Sequence, residues 1–231
     1  MPAISETRTL NEIEDKKERT KTAFRVAAII TIPCSVGLFV LGEKVAGMIY
    51  NAPGAAPAIQ TMSIGIFLLG IHQVSTGILQ GLGRTTIPVF NMILAGACKV
   101  FLNWNLTAVA SLGIKGSAWA TVADFGVAAI LNLFFIYKYT DFSLPIMGLI
   151  KTTIAAGVMG VAVKGFLSIT STWGAWNILG GMLIAVPVYA IVLLALGGIS
   201  QEDLEEMPLV GKRLLNLGRK VGFFREKGKN L

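Results

Sequence analysis

Two long stretches of this chain, Val45–Gly83 and Gly165–Gln201, contain no Asp, Glu, Lys or Arg. A soluble fold needs charged or strongly polar side chains wherever its surface meets water, and uninterrupted runs of this length leave no place for them. A bilayer removes the requirement, since about 20 mostly apolar residues in a helix cross its hydrocarbon core. Composition points the same way. Hydrophobic residues make up 54% of the chain and charged residues 14%, where soluble domains run near a quarter charged. Disorder, a coiled coil and a disulfide-stapled scaffold are excluded on these counts. Cys34 and Cys98 both lie in apolar runs and are expected to be small core residues rather than a disulfide or metal pair. With a single histidine, a His/Cys metal centre has too few ligands.

Six runs have the length and hydropathy of membrane spans: Ala23–Leu41, Ala55–Gln80, Ile87–Val109, Ile114–Tyr137, Pro145–Ile169 and Ala175–Gly197. The expected fold is therefore an all-α integral membrane bundle of six transmembrane helices. Strands would alternate, and these runs are continuous. The connections are short and rich in turn residues, as in Asn51-Ala52-Pro53-Gly54 and Gly81-Leu82-Gly83-Arg84. Short loops lead one to expect consecutive spans to be antiparallel neighbours. Pro33 and Pro187 fall in mid-span and should kink their helices, whereas Pro88 and Pro145 suit first turns. Gly77 with Gly81, and Gly116 with Ala120, are spaced for close helix packing.

Lys and Arg set the orientation, because they accumulate on the cytoplasmic side. With the amino terminus inside, sixteen of the twenty fall on inner segments: Arg8, Lys16, Lys17, Arg19, Lys21, Arg25, Arg84, Lys138, Lys151 and seven in residues 212–229. Lys44, Lys115 and Lys164 fall outside, and Lys99 lies within span three. Both termini are thus expected in the cytoplasm of a multi-pass cell-membrane protein. Residues 1–22 read as an amphipathic lead-in helix, 23–197 as the transmembrane domain and 198–231 as a basic tail. In that tail Lys212, Arg213, Arg219 and Lys220 alternate with Leu214, Leu217, Val221 and Phe224. This is the pattern of an amphipathic helix held on anionic membrane lipids, not of a nucleic-acid binder.

Polar residues inside spans mark the candidate site. On span three, Asn91, Ala95, Lys99 and Asn103 recur every four residues. On span four, Ser117, Thr121, Asp124, Ala128 and Asn132 form a narrow stripe. Lys99 and Asp124 each lie ten residues from the outer ends of their spans, about 15 Å deep at 1.5 Å per residue. Opposite charges at one depth on helices joined by a tight loop can pair, either to fix register or to bind substrate or a coupling ion, H+ or Na+. His72 is expected to bond within the bundle, with a proton relay as the alternative. Gln80, Asn103 and Asn132 are expected to form interhelical hydrogen bonds. No catalytic constellation is present: no paired carboxylates, no Ser/His/Asp set, no phosphate loop, and no cofactor fingerprint. The chain therefore does not read as an enzyme.

Pro2-Ala3-Ile4-Ser5-Glu6, a kinked span, then Gly77-Ile78-Leu79-Gln80-Gly81-Leu82-Gly83 and Pro88 stand in an order that resembles the polysaccharide-biosynthesis exporters. Gly96-Ala97-Cys98-Lys99 with Leu102-Asn103, Gly113-Ile114-Lys115-Gly116-Ser117-Ala118, and Gly197-Gly198-Ile199-Ser200 with Asp203, Leu204 and Pro208 extend the likeness along the chain. The nearest group is that of stage V sporulation protein B, in the superfamily of lipid II flippases and multidrug and toxin extrusion transporters. The resemblance implies the carboxy-terminal lobe of a fourteen-helix transporter that moves lipid-linked saccharides across the cytoplasmic membrane. It also implies a complementary amino-terminal half as partner, this chain starting near the end of the family's eighth helix. A multidrug or cation antiporter half and a non-transporting membrane scaffold are the alternatives.

Overall fold

The computed structural model describes residues 2–48, 51–170 and 176–198. Six helices account for most of them: α1 Pro2–Met48, α2 Ala56–Gly81, α3 Thr86–Ala108, α4 Ile114–Thr140, α5 Ile146–Ile169 and α6 Trp176–Ala195. All six are long and apolar enough to cross a membrane, with the apolar part of α1 falling in Lys16–Met48. The chain is a multi-pass membrane protein. Ends of α2 to α5 lie within a few residues of the spans expected from hydropathy. Span one is the exception, for the helix starts far earlier and ends later than Ala23–Leu41. No break separates the charged lead-in from the span. Once the apolar stretch is helical, adding each further residue makes one bond and needs no new nucleus, so polar flanks with good propensity extend it.

Helix ends follow local chemistry. Pro57 sits in the first turn of α2, where its missing N–H costs nothing. Pro145 occupies the N-cap of α5 rather than its first turn. The loop before α4 turns through Gly113 at φ +46°, a conformation open to glycine without a Cβ penalty. Asp141 caps α4 in the left-handed region, its N–H bonded to Tyr137 O.

Neighbour order departs from chain order. α2 packs broadly on both α1 and α4, α3 packs on α4 and barely meets α2, and α5 packs on α1 and α6. The layer thus runs α3, α4, α2, α1, then α5 with α6. Consecutive spans two and three are not packed neighbours, because α4 lies between them. The turn Gly81–Thr86 is long enough to carry the chain past α4's end. Arg84 of this turn lies 4.9 Å over the Tyr139 ring near the end of α4.

Small residues let backbones approach at selected points. A Cβ added at Gly116 would lie 2.5 Å from Leu106 O, and one at Gly70 would lie 2.5 Å from Thr31 Cγ2. Gly77 and Gly81, by contrast, face open space, so that expected packing pair is not used. Cys34 is exposed and Cys98 half-buried, correcting their reading as core residues. Cys34 lines an apolar groove of about 390 Å³ with Leu38, Met182 and Tyr189. Large apolar side chains such as Phe90, Phe101 and Trp104 on α3 and Leu183 and Val186 on α6 face outward, as lipid-facing positions require.

Candidate substrate and ion site

The intramembrane polar residues gather in α2, α3 and α4 at two levels. At the level nearer the α3–α4 loop, Lys99 Nζ stands 3.5 Å from Asp124 Oδ2. Lys99 is nine residues from the end of α3 and Asp124 ten from the start of α4, so both lie about 15 Å from that end. Their side chains are 40% and 19% exposed. The pair is therefore neither sealed in the core nor free on the surface. The carboxylate is the more enclosed member, and the ammonium reaches it on a flexible stem. Such a pair keeps two charges neutral as a unit while leaving the lysine accessible to an anion or the carboxylate to a cation.

Eight residues further along both helices, about 12 Å away, a second level is built on Asn132. Its side chain is fully buried. Asn132 Oδ1 accepts from Asn91 Nδ2 at 2.8 Å, and its Nδ2 donates to Thr76 Oγ1 at 3.0 Å and Ser75 Oγ at 3.1 Å. His72 Nδ1 lies 3.4 Å from the same amide nitrogen. One amide thereby ties three helices together. Asn91 and Ala95, the buried start of the α3 stripe, face α4. A spacing of four overshoots the helical repeat by about 40° per step. Asn103, three steps beyond Asn91, has turned about 120° away, which explains its position.

Asn103 is exposed in a shallow depression with Trp104 and Thr107, and its carbonyl accepts from Thr107 of the same helix. Gln80 is also exposed, in the last turn of α2. Neither side chain makes a described interhelical bond, so two of the three expected bond-formers are not. Asn132 is one, and His72 stands beside its network. The anchor residues Lys212, Arg213, Arg219 and Lys220 lie outside the described residues. Among the described residues no cluster of three or more His, Cys, Asp or Glu could hold a metal.

Sequence reading passed over one contact with a clear cause. Tyr189 OH donates to Ile29 O at 2.8 Å, joining α6 to α1. Ile29 lies four residues before Pro33, and Pro33 has no N–H to offer that carbonyl. The proline inside α1 creates the acceptor, and a tyrosine from another helix satisfies it. The signal available was the i−4 carbonyl of an intramembrane proline together with a mid-span tyrosine. Asn177, which is fully buried, donates to Thr170 Oγ1 at 3.0 Å across the α5–α6 connection.

The model of lipid II flippase MurJ matches residues 1–183. Stage V sporulation protein B of Bacillus subtilis is 24% identical over 93% of this chain and 42% of its own length. The probable low-salt glycan biosynthesis flippase Agl15 of Haloferax volcanii is 18% identical over 84% of the chain and 41% of its own length. The probable multidrug resistance protein YpnP of Bacillus subtilis is 29% identical over 53% of the chain. No solved structure matches. The chain spans about two-fifths of the length of the first and second of these relatives. A match over more than half of the chain to one family, on a bundle of six apolar helices, places this protein in the MurJ lipid II flippase family.

Proposed function

We propose that the chain serves as one lobe of a flippase for lipid-linked saccharide precursors of the cell surface, acting with a complementary half. The observation that carries the reading is the half-exposed Lys99–Asp124 pair at mid-depth in a member of this family. An intramembrane ion pair reachable from one side suits a cavity wall better than a sealed structural tie. Lys99 would meet the phosphate-linked part of the substrate, and Asp124 would respond to a coupling ion, H+ or Na+. No catalytic step is required of either group. The positive-inside bias supports both termini in the cytoplasm.

A second reading, half of a multidrug antiporter, is favoured by the relative named as a probable multidrug resistance protein. The test is reconstitution in liposomes with a fluorescent lipid-linked saccharide. The chain alone is expected to be inactive, and co-expression with a matching half to give flipping that Lys99→Met abolishes. Efflux of cationic dyes without lipid movement would favour the antiporter. Activity unaffected by Lys99→Met would remove the pair from the mechanism. Cysteines placed at 51 and 171 should label from outside intact cells, and labelling only after permeabilisation would overturn the orientation.

A further inference from the structure

The chain contains one histidine, and the fold sets it against the amide that joins three helices. Asn132 Nδ2 carries two hydrogens and faces three acceptors on α2: Thr76 Oγ1 at 3.0 Å, Ser75 Oγ at 3.1 Å and His72 Nδ1 at 3.4 Å. Its Oδ1 is turned the other way and accepts from Asn91 Nδ2 on α3. Ser75 donates its own hydrogen to His72 O. Asn91, Ser75 and Asn132 are buried, whereas His72 is half-buried. The ring is therefore the titratable member of the network and the one a proton can reach from outside it.

This set of bonds suits one protonation state. While Nδ1 carries no hydrogen, its lone pair faces an N–H donor, and the bonds run one way, from Asn91 through Asn132 to α2. A hydrogen on Nδ1 sets donor against donor. Turning the Asn132 amide by half a rotation removes the conflict. Its Oδ1 then accepts from the imidazolium and from a hydroxyl of α2, whose hydrogen is free to rotate. Its Nδ2 donates to Asn91, whose amide turns in step to present Oδ1. Each amide exchanges N for O in nearly the same volume, so close packing around them is kept. The bonds between the three helices are exchanged rather than lost.

Few charges surround the ring. From α4 the charge of Asp124 reaches it, and Asp124 is already held by Lys99 of α3. Cys98 is the other titratable group of α3, and those remaining on α4, Lys115, Tyr137, Lys138 and Tyr139, stand near its two ends. On α1 the Arg25 stem lies against Gly148 of α5, and Cys34 lines the groove with Met182 and Tyr189 of α6. The residues between those two carry no titratable group. An imidazolium at His72 thus gives Asp124 a second cation to share with Lys99.

We propose that His72 is a proton-binding site whose occupancy is read by Asn132 and Asn91: uptake of a proton reverses both amides and loosens the hold of Asp124 on Lys99. The site stands on this geometry and not on the flippase reading. Its use in transport, with the proton as the coupling ion, does rest on that reading.

A single histidine makes the test direct. The purified full chain, with nitrogen-15 in its histidine and asparagine side chains, is titrated by NMR in detergent micelles from about pH 8 to about pH 5, the range in which histidine changes charge. Above the transition Nδ1 should be unprotonated and Nε2 protonated. Below it both should be protonated, and the Asn132 and Asn91 amide resonances, assigned by their loss in Asn132→Leu and Asn91→Leu, should move with the same midpoint. At the wild-type midpoint, Asp124→Asn should lower the protonated fraction at least about twofold. A ring that stays neutral to the acid end, an Nδ1–H tautomer above the transition, or amide resonances that hold still while the ring titrates would each overturn the proposal. The ring readings need neither a variant nor transport, so they succeed or fail apart from the flippase reading. Flipping by co-expressed halves that is unchanged in His72→Gln would overturn the coupling role.

Discussion

The two sides of the bundle are held together by different chemistry. In α2, α3 and α4, one buried asparagine joins three helices and an ion pair joins two. In α1, α5 and α6, the contacts are Leu41, Val45, Met159, Val163, Leu167 and Ile178, with Ala28, Ala155 and Ala156 allowing close approach. Lipid chains are as apolar as leucine, so burying leucine against leucine brings little net gain within a bilayer. The apolar side must therefore rely on shape and dispersion, and the polar side on directed bonds. Directed bonds define one arrangement and resist sliding. Shape-matched apolar faces, with few bonds to break, permit small displacements. The contrast sets a side whose helices are held in register by directed bonds against one free to adjust by small shifts, and both present apolar faces outward.

The largest expected effect is at the closest backbone approach on the polar side. Gly116→Ala places a Cβ against the Leu106 carbonyl, 2.5 Å away. Main chain cannot rotate aside, so α3 must shift, at a cost of about 3 kcal/mol. Gly160→Ala on the apolar side meets side chains alone, Val36 Cγ1 at 2.7 Å and Val40 Cγ2 at 3.6 Å, which can move, and should cost about 1 kcal/mol. Equal losses in denaturation of the two variants in mixed micelles would contradict the contrast.

Next comes the ion pair. Lys99→Met leaves Asp124 enclosed and unpaired and should cost about 2 kcal/mol, somewhat below the cost of a lone charge at mid-bilayer. Asp124→Asn should cost less, because a lysine stem can carry its ammonium toward water. The double variant should be more stable than Lys99→Met alone. Additive losses would show that the two groups do not interact.

Asn132→Leu removes the amide that ties α2, α3 and α4 and strands Asn91. With interhelical bonds worth about 0.6 kcal/mol each on average, a loss of about 2 kcal/mol is expected. Faster proteolysis of the α2–α3 turn would be the local signature. A loss spread evenly over the chain would argue against a local hub.

The smallest effect probes the directed bond that joins α6 to α1 on the other side. Tyr189→Phe leaves the Ile29 carbonyl without its donor and should cost about 1 kcal/mol. In a Pro33→Ala background the α1 amide at position 33 can take that carbonyl, and Tyr189→Phe should become nearly silent. An undiminished cost in that background would show that Tyr189 acts through packing alone.

By itself, the sequence determined where the chain crosses the membrane and at what depth its charges sit. Transfer of a helix into hydrocarbon is close to a sum over its own residues, so the spans of α2 to α6 are legible in the hydropathy of the sequence, whereas the full length of α1 is not. Depth follows from a fixed rise per residue, which is why Lys99 and Asp124 could be matched before any contact was known. Rotation about each helix axis and the order of neighbours are not such sums. They depend on which faces find complementary shapes, and only the tertiary structure decided them. It set α4 between α2 and α3, turned Asn103 and Gln80 outward, left Gly77 and Gly81 unused, and brought Tyr189 to a carbonyl 160 residues away. Lys21, Arg25 and Lys151 are ordinary flanking charges in the sequence. They line one cleft only because α5 leaves α4, which precedes it in the chain, and packs on α1.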